Sequence, residues 1–95
     1  IFIFMIKEIE CLIHGRVQGV MFRDFARGQA CRRHLTGTVE NLADGSVRVM
    51  AQGDEPALQE FIKCLRRGSL FTRVESVAVS WRGATNQLDD FRIIS

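Results

Sequence analysis

The spacing of apolar residues alternates along the chain between a strand pattern and a helix pattern, and this alternation constrains the fold more than any other feature. In residues 7–14, apolar side chains mostly alternate with polar ones, which is typical of a half-buried strand. In residues 22–33 they recur at intervals of three and four, which predicts an amphipathic helix that ends at His34 or Leu35. The chain therefore begins with a strand followed by a helix.

The middle of the chain predicts a hairpin and a second helix. Residues 36–42 and 46–52 are rich in β-branched side chains and flank an Asp-Gly pair at residues 44–45, which favours a tight reversal because glycine accepts positive φ. Asp54 is expected to be the N-cap of the second helix, and Gly68 to close it. Its buried face is expected to comprise Leu58, Phe61, Ile62 and Leu65.

The C-terminal part predicts two further strands. Residues 74–81 alternate between apolar and polar side chains, a polar turn follows at residues 83–87, and a short strand is expected at residues 90–94. Before these strands, Leu70 and Phe71 form either an exposed patch or part of the core, and we expect the core.

The order of elements is then strand, helix, strand, strand, helix and strand, with a short extra C-terminal strand. Such a chain packs economically as an α+β sandwich in which two helices cover one face of an antiparallel sheet. Because 95 residues suffice for one core but not for two, we expect a single domain over residues 1–95. Residues 1–6 are expected to be either an extension or an artificial remnant outside the native chain.

Charge and cysteine content argue against several classes of function. Thirteen basic and eleven acidic residues give a mixed surface, so nucleic-acid binding is not expected. The three cysteines are far apart and lack the spacing of a metal site, so we expect free or buried thiols, no metal and a cytoplasmic location. The apolar N-terminal run is shorter than the ~20 residues that cross a bilayer, so no membrane anchor is expected.

The segment "HGRVQGVMFRDF", residues 14–25, joins the first strand to the first helix. Gly15 and Gly19 remove side chains from the turn, so backbone amides there and at the helix start can converge on an anion. Arg23, in the first helical turn, can bind two phosphate oxygens with its planar guanidinium. The alternative is that the glycines only shape the connection and that Arg23 is an exposed helix residue.

Asn41 is the second candidate residue, near the end of the strand that precedes the Asp-Gly turn. Its amide can both accept and donate hydrogen bonds, which suits it to hold a nucleophilic water in line with phosphorus. The alternative is a strand-end residue that caps the turn. Backbone amides, one arginine and one asparagine offer no evident general acid. Such a site suits a leaving group that departs readily, which points to a mixed anhydride such as an acyl phosphate.

These residues resemble the acylphosphatase family over nearly the whole chain. The similar motifs are "GRVQGVMFR" at residues 15–23, "GTVENLADGSVRV" at residues 37–49 and the final "F-x-I". The resemblance implies a ferredoxin-like α/β sandwich that hydrolyses acyl phosphates without metal or cofactor, with Arg23 and Asn41 as catalytic residues. It also implies a phosphate cradle formed by Gly15, Arg16, Val17, Gln18, Gly19, Val20, Met21, Phe22 and Arg23.

The expected partners are a small-molecule acyl phosphate as substrate and inorganic phosphate as product and competitive ligand, and the protein is expected to be a monomer. The chain departs from the family at Met21, Thr38 and Leu42. The family commonly has threonine where Leu42 stands, so a hydrogen bond from that position to Asn41 is absent, and these departures put rate and stability in question.

Two other functions share the order of elements. An RNA-binding module would need stacking aromatic residues, which the central run "GSVRVMA" lacks. A carbamoyl-phosphate-processing domain, like that of hydrogenase maturation factors, keeps the resemblance and changes the substrate.

Overall fold

Five strands and two helices follow one another in the predicted order in a computed structural model that describes residues 6–84 and 86–94. They are β1 (Lys7–Arg16), α1 (Phe22–Arg32), β2 (Thr36–Asn41), β3 (Val47–Gly53), α2 (Glu55–Arg67), β4 (Arg73–Gly83) and β5 (Phe91–Ile93). Residues 1–5 lie outside the described residues, and they form most of the segment expected to be an extension or an artificial remnant. Residue 85, in the predicted polar turn, also lies outside them.

Both helices end close to their predicted positions. α1 closes at Arg33, and His34 follows with φ +58, a left-handed conformation. Asp54 is the N-cap of α2, although its side chain makes no capping hydrogen bond, and α2 ends at Gly68 with φ +71. A Cβ at position 68 would lie 2.5 Å from Oγ1 of Thr72. Glycine is therefore favoured there by close approach as well as by φ.

The sheet has the strand order β4-β1-β3-β2-β5. Its first four strands pair antiparallel, whereas β5 pairs parallel with β2, so the sheet is mixed and the prediction of an antiparallel sheet is corrected for its last strand. β4 ends beside the start of β1, at the same end of the sheet as the start of β2. After β4, the chain crosses from that end to the opposite edge of the sheet, so β5 runs in the same direction as β2. The predicted α+β fold class is confirmed.

One face of the sheet packs on both helices and forms the core. Alternate residues of β1 and β3 are buried on this face against Phe22 of α1 and Phe61 of α2. Full burial of an aromatic side chain of this size stabilises a fold by roughly 1.5–3 kcal/mol. The predicted buried face of α2 is confirmed in all four of its members.

The opposite face of the sheet carries charged side chains. Arg48 lies 3.6 Å from Glu10 and 2.5 Å from Glu40, and Arg82 pairs with both Glu8 and Glu10. These pairs span the central strands, which is where an RNA-binding sheet presents its stacking aromatic residues. The surface that the RNA-binding alternative requires is thus occupied by ion pairs.

Glu8 and Gln52 are buried on this charged face. Nε2 of Gln52 donates to Oε1 of Glu8 at 2.8 Å, and the N–H of Leu88 donates to Oε1 of Gln52 at 2.9 Å. Burial raises the pKa of Glu8, but the hydrogen bonds from Gln52 and Arg82 and the charge of Arg82 together bring it below its ordinary value. These hydrogen bonds fix the connection between β4 and β5 to the charged face.

Leu70 and Phe71 lie in the turn between α2 and β4, and the prediction that they lie in the core is wrong. They are 90% and 71% exposed. The N–H of Ser69 donates to Oγ1 of Thr72 at 2.8 Å, and the Thr72 hydroxyl donates back to the carbonyl oxygen of Ser69 at 3.0 Å. These bonds close the base of the turn, so the two apolar residues are held at its tip.

Candidate functional site

The connection between β1 and α1 leaves the sheet through an irregularity at Gly15. The pairing of β1 with β4 shifts between His14 and Gly15, and Gly15 adopts φ +132. A Cβ at position 15 would lie 2.1 Å from the carbonyl oxygen of Arg73, closer than any side chain allows. Glycine therefore lets the chain pass close to β4 before it turns toward α1.

The loop reaches α1 without a side-chain cap from any residue that the structure describes. Gly19 adopts φ +77, and Met21, the N-cap residue, adopts φ +64. Within the described residues the first-turn N–H groups receive no side-chain cap, while Phe22 is 1% exposed and anchors the helix start in the core. Free amides and the positive end of the helix dipole make this end of α1 attractive to an anion.

Arg23 lies in the first turn of α1 and is half-buried. Across residues 6–84 and 86–94, its guanidinium makes neither an ion pair nor a hydrogen bond. The neighbouring Asp24 is exposed and supplies the acidic residue of the first turn. A planar guanidinium at a helix start has the geometry to bind two oxygens of one phosphoryl group.

Asn41 is the last residue of β2 and lies at the end of the sheet where β1 ends and the loop begins. It pairs with Val47 of β3, which in turn pairs with Ile13 of β1, so Asn41 and the loop lie at the same end of the sheet. Asn41 follows Val39 by two residues and shares its helix-packed face. Its Oδ1 is buried and has no hydrogen-bond partner in the described part of the chain. A buried amide oxygen of this kind fits contact with a bound water or ligand.

The side chain of Gln18 joins the loop to the turn that follows Asn41. Nε2 of Gln18 donates to the carbonyl oxygens of Leu42 and Ser46, both at 2.8 Å. The N–H of Leu42 also donates to the carbonyl oxygen of Ser46 at 2.8 Å, which closes the turn. The loop is therefore joined by direct hydrogen bonds to the turn that follows Asn41.

The carboxylate of Asp44, in the same turn, accepts two hydrogen bonds from Ser46. The N–H and the hydroxyl of Ser46 donate to Oδ1 of Asp44 at 2.9 and 2.5 Å. These bonds hold the pKa of Asp44 below its ordinary value. Asp44 is therefore ionised at neutral pH and is unsuited to act as a general acid.

Neither a metal cluster nor a membrane helix occurs among the described residues. No three His, Cys, Asp or Glu side chains there are grouped so as to hold a metal ion. No helix in that part of the chain is long and apolar enough to cross a bilayer. Cys11, Cys31 and Cys64 are free thiols, and burial raises the pKa of Cys11 to about 12.

The structure brings the sequence-predicted residues to one end of the sheet: the loop and helix start of residues 15–23, and Asn41 at the end of β2. Two features were missed. Gln18 was predicted to contribute only a backbone amide, and the irregularity at Gly15 was not predicted at all. A polar amide after the buried Val17 was the available signal, but no sequence pattern identifies the carbonyl groups that it reaches.

Comparisons with known proteins show the family of the chain. A family model described as acylphosphatase matches residues 9–93. An acylphosphatase from Dehalococcoides mccartyi (strain CBDB1) is 48% identical over 86 residues, which cover 90% of this chain and 94% of that relative.

Solved structures show the same fold in two settings. The crystal structure of an acylphosphatase from Bacillus subtilis has a TM-score of 0.91 and 36% identity, covering 94% of this chain and 99% of that chain. The crystal structure of full-length HypF, in a phosphate- and nucleotide-bound form, has a TM-score of 0.85 and 27% identity. That match covers 95% of this chain but 12% of HypF. The fold thus forms nearly all of one protein and a small part of another.

Proposed function

This chain belongs to the acylphosphatase family, and from that premise we propose how its residues hydrolyse the carboxyl–phosphate bond of an acyl phosphate. A water oxygen bonds to phosphorus, the bond from phosphorus to the bridging oxygen breaks, and its electron pair leaves with the carboxylate. Both protons of the water remain with the inorganic phosphate. Overall, no side chain has to gain or lose a proton.

The backbone amides of residues 15–22 and the guanidinium of Arg23 hold the phosphoryl oxygens in this proposal. Negative charge on these oxygens is stabilised most by donors that are already oriented before the reaction begins. The uncapped start of α1 and the absence of an ion pair to Arg23 in the described residues support this role, since both leave donors available to the substrate.

Asn41 positions the attacking water. The observation that carries this role is the buried Oδ1 of Asn41, which lacks a hydrogen-bond partner among the described residues at the end of the sheet where α1 begins. An amide oxygen that accepts a hydrogen bond from water fixes the orientation of the water lone pair toward phosphorus. It does not remove the proton, because an amide is not a base at neutral pH.

The leaving group explains why acyl phosphates are the preferred substrates. A carboxylate departs without protonation, whereas the alkoxide of a phosphate monoester needs a general acid. Asp44, the carboxyl group in the turn after Asn41, is ionised and bonded to Ser46. The site is therefore suited to mixed anhydrides and unsuited to simple phosphate esters.

Steady-state hydrolysis of benzoyl phosphate by the purified chain tests the proposal. We expect turnover that EDTA does not change, competitive inhibition by inorganic phosphate, and little hydrolysis of p-nitrophenyl phosphate, a monoester. Arg23→Ala is expected to lower kcat by about a hundredfold or more, because it removes a donor aimed at the phosphoryl oxygens.

Arg32→Ala is the matched control, since Arg32 is an exposed arginine in the last turn of the same helix. It is expected to retain the activity of the unaltered chain. Equal turnover by Arg23→Ala and the unaltered chain would contradict the role of Arg23.

Carbamoyl phosphate is a second candidate substrate, because it is also a mixed anhydride and the same cradle would bind it. The resemblance to the carbamoyl-phosphate-processing domain of hydrogenase maturation factors favours it. A kcat/KM for carbamoyl phosphate far above that for benzoyl phosphate, in the same assay, would select this candidate.

We also propose that the protein is a cytoplasmic monomer. Its three cysteines are free thiols, which a reducing compartment preserves. The proposed site is built from one loop, one helix and one strand of a single chain, so catalysis requires no second copy.

A further inference from the structure

A groove beside the proposed phosphate cradle combines apolar and cationic side chains. It has a volume of about 450 Å³ and is lined by Arg16, Val20, Leu70, Phe71, Thr72 and Arg73. Arg16 ends β1 and Val20 belongs to the loop that precedes α1, while the other four residues come from the turn after α2 and the start of β4. The groove therefore shares one wall with the cradle.

The apolar wall of the groove is exposed but held in place. Leu70 and Phe71 are among the most exposed large apolar residues of the described chain. The hydrogen bonds between Ser69 and Thr72 fix the turn that presents them. Adjacent large apolar side chains on a fixed turn beside a proposed active site are suited to contact a hydrocarbon group.

The cationic side of the groove is formed by two arginines that lie opposite each other. Arg16 of β1 pairs directly with Arg73 of β4 in the antiparallel ladder, and like charges in such positions destabilise a sheet. Both residues are exposed, and within the described residues neither forms an ion pair, even with the nearby Glu75. Two guanidinium groups over one groove are complementary to an anion that lies between them.

We propose that this groove is the acyl-group subsite and that it selects acyl phosphates whose acyl group bears a second anionic group. The subsite rests on the proposed function, because the cradle must first fix the phosphoryl group. The acyl group is joined to phosphorus through one bridging oxygen, so it must lie against a surface that borders the cradle. Its hydrocarbon part contacts Val20 and Phe71, and its distal anion lies between Arg16 and Arg73.

Two substrates that differ by one charge test this subsite: benzoyl phosphate and 4-carboxybenzoyl phosphate. We expect kcat/KM of the unaltered chain to be about threefold to fivefold higher for the carboxylated substrate, the effect of a partly solvated ion pair. Added salt is expected to reduce this preference. Arg73→Gln is expected to lower this preference while leaving benzoyl phosphate turnover unchanged.

Arg92→Gln is the matched control, because it removes the same charge from β5 at the other edge of the sheet. It is expected to keep the preference. Phe71→Ala tests the apolar wall separately: it is expected to raise KM for both aromatic substrates while leaving KM for the smaller acetyl phosphate unchanged.

The ratio of the two kcat/KM values does not depend on the amount of folded protein, so a poorly folding variant still gives an answer. The same ratio in the unaltered chain, Arg73→Gln and Arg92→Gln, with both substrates hydrolysed, would overturn the subsite and leave the proposed function standing. Failure of the unaltered chain to hydrolyse either substrate would overturn the proposed function and the subsite with it.

Discussion

Asn41 is a residue at which stability and activity make opposite demands. Its Oδ1 is buried without a protein partner among the described residues, a situation that costs about 1–3 kcal/mol in a folded protein. Asn41→Ala is therefore expected to leave the free energy of unfolding equal or higher. The same change is expected to lower kcat for benzoyl phosphate by about a hundredfold or more, because the water loses its orientation. Urea unfolding and steady-state kinetics on one preparation measure both quantities.

Asn86→Ala is the matched control for this experiment. Asn86 is exposed, and its contact with Gln52 uses the backbone carbonyl oxygen, which the substitution keeps. Its activity and stability are expected to stay near those of the unaltered chain. If Asn41→Ala lost activity only in proportion to a loss of folded protein, the water-positioning role would be refuted.

Residue chemistry made part of the candidate site predictable. Arg23 and Asn41 could be named from the sequence, because few residue types bind phosphate or orient water at those places. Leu42 has no hydroxyl group, so the sequence already indicated that this position gives Asn41 no hydrogen bond, and in the described residues Oδ1 of Asn41 has no partner. The burial of Oδ1 could not be predicted, because it depends on the register that aligns β2 with β3 and β1.

At the scale of elements, the Gln18 side chain couples the loop before α1 to the turn after β2. Gln18→Ala removes both of its hydrogen bonds, so the carbonyl oxygens of Leu42 and Ser46 each lose one bonding partner. We expect the free energy of unfolding to fall by about 1–3 kcal/mol. We also expect kcat to fall by about tenfold, because the cradle and Asn41 are no longer held in register.

Gln59→Ala provides the comparison, since Gln59 is an exposed glutamine on α2. It is expected to change neither quantity appreciably. A Gln18→Ala variant that loses stability yet keeps full kcat would show that the hydrogen bonds serve the fold alone.

Most elements were predictable because their apolar periodicity is regular, and the face of α2 is an example. Leu70 and Phe71 were placed wrongly because they belong to no periodic segment, so residue type alone suggested burial. Their exposure follows from the hydrogen bonds between Ser69 and Thr72 at the base of the turn. Such local bonds leave little trace in a sequence.

For the molecule as a whole, Glu8 links stability to pH. Its pKa in the folded chain lies below the ordinary value of 4.5, so its contribution to stability is present above that pH and is lost as the pH falls through the folded pKa. Glu8→Gln is expected to be less stable than the unaltered chain at neutral pH. The difference should shrink as the pH falls below about 4.5 and through the lower folded pKa, as urea unfolding at several pH values can measure.

Glu60→Gln is the control, because the Glu60–Lys63 pair is exposed and such pairs contribute little to stability. It is expected to follow the unaltered chain throughout. A Glu8→Gln variant whose deficit stayed constant across the acidic range would contradict the linkage.

The arrangement of the four antiparallel strands was predictable, because right-handed connections leave few ways to pack this order of elements. The direction of β5 was not. It depends on the path of the connection across the charged face, where Gln52 bonds to Asn86 and Leu88. That path is set by contacts between residues far apart in the chain.

The strand order places the eleven residues of β4 at one edge of the sheet, whereas the other edge is the three-residue β5. The unpaired backbone N–H and C=O groups of a long edge strand can form hydrogen bonds with a strand of another chain. Charged side chains on the edge strand oppose this pairing. Arg73, Glu75 and Arg82 serve this purpose on β4. Substituting Arg73 to change specificity therefore removes a charge that opposes edge-to-edge pairing. Concentrated preparations of such variants are expected to form intermolecular sheets.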